Sequence, residues 1–188
     1  MHRAVPRRRA EFAAGRTCAR RALAALGVHQ RAIPSGTNRL PQWPDGYIGS
    51  ITHTETVCAA AVGRYTDGFI AVGIDLEPAV PLPAEVVDAV CLPAELAWLE
   101  MEGGCERHQG ELARAIFSAK ECAFKCQYPL SHTLIGFHDL AVALDLRAGI
   151  FRARFVHGVP AFASDAELEG RLHMDRDLIA CAMTLTST

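Results

Sequence analysis

The run Val72-Gly73-Ile74-Asp75-Leu76-Glu77-Pro78 sets two carboxylates two residues apart in a segment that reads as a β-strand. Side chains alternate along a strand, so Asp75 and Glu77 share one face while Ile74 and Leu76 turn to the other. Neighbouring carboxylates repel each other unless a positive charge lies between them. A divalent cation suits that place, and Mg2+ is commonly held by one or two carboxylates together with phosphate oxygens and waters. The alternative is a strand that ends in two solvated acids, a common surface arrangement.

A second group lies in Phe117-Ser118-Ala119-Lys120-Glu121-Cys122-Ala123-Phe124-Lys125, within the strongest helical stretch of the chain, residues 111–127. Leu112, Ile116, Ala119, Ala123 and Cys126 recur at helical spacing and form one core-facing stripe. Ser118, Glu121 and Lys125 fall roughly opposite, with Phe117 and Phe124 beside them. As an exposed pair, Glu121 and Lys125 would add only about 0.2–0.5 kcal/mol to a helix. Apolar bulk on both flanks instead predicts cover on more than one side, with Glu121 and Lys125 in a cleft. There a carboxylate can act as general base and an ammonium can neutralise phosphate charge.

A third candidate is His53, in Gly49-Ser50-Ile51-Thr52-His53-Thr54, at the end of a short strand among hydroxyl residues; a single histidine has a structural alternative. A fourth is the cationic face of residues 7–26, where Arg8, Arg9, Arg16, Arg20 and Arg21 stand in a stretch rich in strong helix formers. That face is either a solvated helix surface or a phosphate site.

The elements that must position these groups follow from pattern. Residues 7–26 read as a helix closed by Gly27. Residues 33–46 read as a loop, since they hold Pro34, Gly36, Asn38, Pro41, Pro44 and Gly46. Residues 48–51 and 57–62 read as short strands with Thr52-His53-Thr54 between them, and 69–76 as a clearer strand. Helices are expected at 85–90, 93–101 and 111–127, and strands at 140–146, 151–156 and 178–186. The stretch 105–110 reads as a mobile polar loop.

Composition narrows the function classes. The chain has 188 residues, half of them hydrophobic and 21% charged, enough for a sizeable core. Its formal net charge is -2, so nothing points to a nucleic-acid partner, and any anion site must be local. No apolar run reaches the roughly 18–20 residues of a membrane span. The basic N-terminus is not followed by the apolar region of a secretory signal. The 7 cysteines include no Cys-x-x-Cys pair, so free thiols in a reducing cytoplasm are expected rather than a zinc site.

Taken in order, four blocks resemble the 4'-phosphopantetheinyl transferases of the Sfp/EntD-like type. They are Arg7-Arg8-Arg9-Ala10-Glu11-Phe12 through Arg20, and Arg39-Leu40-Pro41-Gln42-Trp43-Pro44 through Ser50-Ile51-Thr52-His53. Then come Gly73-Ile74-Asp75-Leu76-Glu77 and Phe117-Ser118-Ala119-Lys120-Glu121 through Lys125. Each block is weak alone; their order and coverage are what make the match specific. Two departures are small: Thr52-His53 stands where many members have Ser-His, and Phe117 where some have Trp. Many EntD-like members also carry a further segment before the Arg-rich helix.

The resemblance implies an α/β (α+β) fold of two pseudo-symmetric halves, residues 1–67 and 68–188. Each half would be a small, mainly antiparallel sheet packed with helices, and the active site would lie in the cleft between them. It implies transfer of the 4'-phosphopantetheine arm of coenzyme A to a serine of an apo acyl or peptidyl carrier protein, with release of 3',5'-ADP. Fatty-acid, siderophore, polyketide and non-ribosomal peptide systems all remain open as the pathway. By analogy Asp75, Glu77 and Glu121 hold Mg2+, Glu121 takes the serine proton, and Lys125 binds a phosphate. Arg8, Arg16 and His53 meet the 3'-phosphate and nearby groups, Arg39 lines the nucleotide site, and Thr52 is a further coenzyme-binding residue. The expected form is a cytoplasmic monomer. The competing readings are a Mg2+-dependent nuclease or phosphodiesterase and an inactive coenzyme A-binding module.

Overall fold

The computed structural model describes residues 6–29, 32–36 and 40–187. Its elements are α1 (Pro6–Ala25), β1 (Tyr47–His53), β2 (Cys58–Arg64), β3 (Phe69–Pro78), α2 (Ala84–Val90), α3 (Pro93–Glu102), α4 (Glu106–Ser131), β4 (Leu140–Asp145), β5 (Ile150–Phe155), β6 (Glu167–Met174) and β7 (Leu178–Thr186). Single 3-10 turns at Tyr65–Asp67 and Phe137–Asp139 complete the described elements. The mixed α/β class expected from the sequence holds, with two antiparallel sheets: the hairpin β1-β2 and a five-stranded sheet in the order β3-β7-β6-β5-β4.

Two separate apolar clusters organise these layers. The smaller joins Ala19 and Leu23 of α1 to Ile33, with Trp43, Tyr47, Ile51 and Val62 packed around them. The larger sets the predicted α4 stripe, Leu112, Ile116, Ala119, Ala123 and Cys126, against Leu140, Phe151, Phe155, Ile179 and Met183 of the sheet. Every residue of that stripe is buried. At about 1.5–3 kcal/mol for each large side chain removed from water, this contact dominates the stability of the larger layer.

α4 and β3 approach closely at Gly73. A Cβ there would lie 2.1 Å from the Cys122 carbonyl oxygen and 2.9 Å from the Cys126 nitrogen, so only glycine lets α4 lie this close to β3. The face of β3 that carries Asp75 and Glu77 is therefore the one pressed toward α4.

A buried ion pair fixes the same helix from its other side. Lys120 Nζ donates to Glu95 Oε2 at 2.7 Å and to the carbonyls of Val90 and Phe137 at 2.8 and 3.0 Å. Glu95 also accepts the Leu92 N–H at 2.7 Å and the Val142 N–H at 2.6 Å. One carboxylate thus ties the start of α3, the middle of α4 and the edge strand β4.

Several local expectations are corrected. Thr52 and His53 lie inside β1, with His53 paired to Cys58 across the hairpin, rather than in the connection between strands. Residues 106–110 are the first turns of α4 and not a loop; the Arg107–Glu111 ion pair at 2.9 Å spans one helical turn there. α4 also runs on past Gln127 through Pro129 to Ser131. β6, absent from the sequence reading, completes the sheet between β5 and β7. Phe117 packs with the core and meets Phe137 at a ring separation of 5.3 Å, rather than lying apart from it.

Candidate active site

Four polar residues of α4 form a stripe of their own: Arg114, Ser118, Glu121 and Lys125, at i, i+4, i+7 and i+11. Three of them reach the carboxylates of β3. Arg114 Nη1 donates to Glu77 Oε2 at 2.9 Å, Ser118 Oγ to Asp75 Oδ2 at 2.8 Å, and Lys125 Nζ to Asp75 Oδ1 at 2.5 Å. The rising helix numbers meet falling strand numbers, as α4 runs against β3. Ser118, expected on the polar face with Glu121 and Lys125, is fully buried in this contact.

The third side of Asp75 is closed by the hairpin. Thr52 Oγ1 donates to Asp75 Oδ1 at 3.2 Å and accepts the Leu76 N–H at 3.1 Å. Asp75 is 3% exposed, so its charge is held by protein donors rather than by bulk water. Arg114 is itself anchored, donating to the carbonyls of Val80 and Pro81 at 3.2 and 3.1 Å.

Glu121 and Lys125 line a cavity of about 600 Å3. Its other walls come from the loop before the hairpin, the hairpin and the turn after it, including Trp43, Tyr47, Ser50 and Tyr65, and from Phe124 and Tyr128 of α4. Glu121 also borders a smaller cavity of about 240 Å3 with Lys120, Phe124 and Phe137. Burial pushes the Glu121 carboxyl up, Lys125 opposes that, and the Asp75 charge adds to it. Glu77 is likewise raised by burial first and then by Asp75, with Arg114 and Lys125 pulling the other way.

Glu77 and Glu121 thus each feel the Asp75 charge, and crowding of carboxylates is the situation a divalent cation relieves. Among the described residues, no group of three His, Cys, Asp or Glu converges tightly enough to cage a metal unaided. The donor set nevertheless fits Mg2+, which takes oxygen ligands, uses one or two carboxylates and keeps waters and substrate phosphates.

The expected coenzyme-binding residues divide. Arg8 is exposed on the first turns of α1, and Arg39 lies outside the described residues. Arg16 is buried over the Phe12 ring, 4.6 Å from its centroid, and its Nη2 donates to Ser35 Oγ at 3.1 Å. Among the described residues its buried Nε has no hydrogen-bond partner, and burial lowers the guanidinium pKa. A desolvated cation with an orphaned donor is what an incoming anion would complete. His53 is exposed and lines a separate hollow of about 410 Å3 with Ala10, Ala14, Thr54 and Cys58. Thr52 turns its hydroxyl to Asp75 and the β3 backbone.

Sequence reasoning passed over Arg114, Ser118 as a bonded partner of Asp75, and the Glu95–Lys120 pair. The 114/118/121/125 spacing was the available signal for the first two. Nothing in the sequence pairs Glu95 with Lys120, which are brought together only by the fold.

Comparison with known proteins shows the family. The 4'-phosphopantetheinyl transferase N-terminal domain family matches residues 1–63, and the 4'-phosphopantetheinyl transferase superfamily matches residues 71–178. The 4'-phosphopantetheinyl transferase Svp of Streptomyces mobaraensis is 38% identical over 98% of this chain and 75% of its own length. PptT of Mycobacterium tuberculosis, also a 4'-phosphopantetheinyl transferase, is 37% identical over 97% of this chain and 82% of its own. Enterobactin synthase component D of Salmonella typhimurium is 32% identical over 84% of this chain and 62% of its own. Both blocks that carry the acids, Asp75-x-Glu77 on β3 and Glu121 with Lys125 on α4, fall inside the superfamily match, and the chain belongs to the 4'-phosphopantetheinyl transferase family.

Proposed function

We propose that this chain transfers the 4'-phosphopantetheine arm of coenzyme A to a serine of an apo acyl or peptidyl carrier protein, releasing 3',5'-ADP. The observation that carries the reading is the Lys125–Asp75 ion pair at the edge of a cavity that Glu121 and Lys125 line together with the hairpin. Family membership supports it, and the comparisons lend nothing to the phosphodiesterase or inactive-module alternatives.

The transfer breaks the pyrophosphate link of coenzyme A and forms a bond from the serine oxygen to the phosphorus that keeps the pantetheine arm. Such reactions need an in-line pose and neutralised charge more than covalent help. Asp75 and Glu121, with Glu77 beside them, are the residues that would hold Mg2+, which when bound supplies neutralisation of the pyrophosphate. Glu121, raised by burial, is suited to accept the serine proton directly or through water. The Lys125 ammonium, beside Asp75, supplies positive charge for a phosphate oxygen. Arg8, Arg16, Arg39 and His53 are the proposed binders of the 3'-phosphate and its surroundings, and the orphaned Arg16 Nε favours that role.

Among the described residues, no helix is long and apolar enough to cross a membrane. We place the enzyme in the cytoplasm as a monomer with no nucleic-acid partner; its 7 free cysteines suit a reducing compartment. The test is transfer to an apo carrier protein by Glu121→Gln and Lys125→Ala, set beside coenzyme A binding measured by calorimetry. Transfer should fall by at least 100-fold in Glu121→Gln, on the order expected for general-base loss, while coenzyme A still binds. Near-normal turnover would remove Glu121 from the chemistry.

A further inference from the structure

β3 is an edge strand of the five-stranded sheet. On its outer edge the hairpin meets it through hydroxyls rather than a backbone ladder. The Ile74 N–H donates to Ser50 Oγ at 3.1 Å and the Leu76 N–H to Thr52 Oγ1 at 3.1 Å. Ser50 and Thr52 are both buried, which satisfies a strand edge that would otherwise invite pairing with another chain.

Thr52 does more than close that edge. A hydroxyl has one proton to donate, and Thr52 directs it to Asp75 Oδ1 at 3.2 Å while a lone pair takes the Leu76 N–H. From the opposite side the buried Ser118 donates to Asp75 Oδ2 at 2.8 Å. Each carboxylate oxygen thus has one neutral donor, supplied by a different element, and the plane of the carboxylate is fixed.

We infer that Thr52 and Ser118 are positioning residues that orient the Asp75 carboxylate toward the cation of the active site. This rests on the reading of Asp75 as a metal ligand. Neither hydroxyl need touch coenzyme A or the metal. Partners of this kind hold a ligating group in one orientation, and their loss costs about 10–100-fold in metal affinity.

Mn2+ serves as the probe. It is titrated into coenzyme A-saturated protein, free Mn2+ is read by electron paramagnetic resonance, and the signal from coenzyme A alone is subtracted. Thr52→Val and Ser118→Ala should each weaken Mn2+ binding about 10–100-fold. Thr52→Ser, which keeps the hydroxyl, should stay within about threefold of wild type. Excess metal should restore turnover in Thr52→Val and Ser118→Ala. A purely structural role would lower the melting temperature and leave the Mn2+ midpoint in place, and that result overturns the inference. Asp75→Asn separates the two levels of failure. If it binds Mn2+ like wild type, the metal-ligand reading falls. If it loses binding while Thr52→Val and Ser118→Ala match wild type, only the positioning role falls.

Discussion

Gly73→Ala tests how far the site depends on helix-to-strand distance. The added Cβ would stand 2.1 Å from the Cys122 carbonyl oxygen, whereas real Cβ atoms essentially never come nearer than 3.0 Å. The obstructing atom is backbone, so no rotamer change relieves it, and α4 must move from β3 by about 0.9 Å at that point. Overpacking of this kind costs about 1–3 kcal/mol. For a chain of this size each kcal/mol lowers the melting temperature by about 2–4 °C. The same shift would carry Ser118 and Lys125 off Asp75, which they meet at 2.8 and 2.5 Å. A misplacement of about 1 Å in a preorganised site can cost about 100-fold in rate. The assay is thermal unfolding by circular dichroism beside phosphopantetheine transfer to an apo carrier protein. The variant should melt several degrees lower and lose far more activity than that loss of stability explains at the assay temperature. Wild-type melting with wild-type transfer would refute the claim that the Gly73 contact sets the site.

Other perturbations separate stability from chemistry. Lys120→Met strands the buried Glu95 carboxylate, and breaking a buried pair from one side costs about 3–5 kcal/mol; urea unfolding reads the loss, and a cost below about 1 kcal/mol would contradict the role given to this pair. Burial pushes the Glu121 carboxyl above its ordinary value, so the folded protein holds that proton more tightly than the unfolded chain does. The associated stability is present below the unfolded carboxylate range and is lost as pH rises through the raised folded value. In EDTA, Glu121→Gln should therefore melt higher than wild type at neutral pH and lose this part of the pH dependence, while failing to transfer; an equal or lower melting temperature contradicts the assigned environment. Arg114→Gln frees Glu77 from its 2.9 Å partner, and it should lower the melting temperature and weaken Mg2+ dependence together, read by transfer rates across a Mg2+ series.

Much of this arrangement is visible in the sequence because it rests on period. The α4 stripe obeys helical spacing, and Asp75 and Glu77 obey strand alternation, so their faces follow from residue order. The missed strand has a specific cause. In Glu167–Met174 the inward positions run Leu168, Gly170, Leu172, and a glycine breaks the apolar signal. Gly170 is required because the Phe151 ring fills the space, 2.3 Å from where a Cβ would sit. The start of α4 was hidden because Glu106, Arg107 and His108 are exposed and carry no apolar stripe. Ser118 was placed on the correct helix face, but a wheel does not reveal that β3 covers it. Long-range partners such as Glu95 with Lys120 and Thr52 with Asp75 depend on tertiary packing and leave no mark in local pattern.

Transfer from coenzyme A to a carrier serine is proposed to take place at a metal-dependent acidic site. Intact-protein mass spectrometry tests it most directly. Several apo carrier proteins are each incubated with this enzyme, coenzyme A and Mg2+, with EDTA and Glu121→Gln reactions alongside. At least one carrier should gain a single phosphopantetheine mass with wild type and Mg2+, and none in the other two reactions. Gain of that mass in EDTA or with Glu121→Gln, at the wild-type rate, would contradict it.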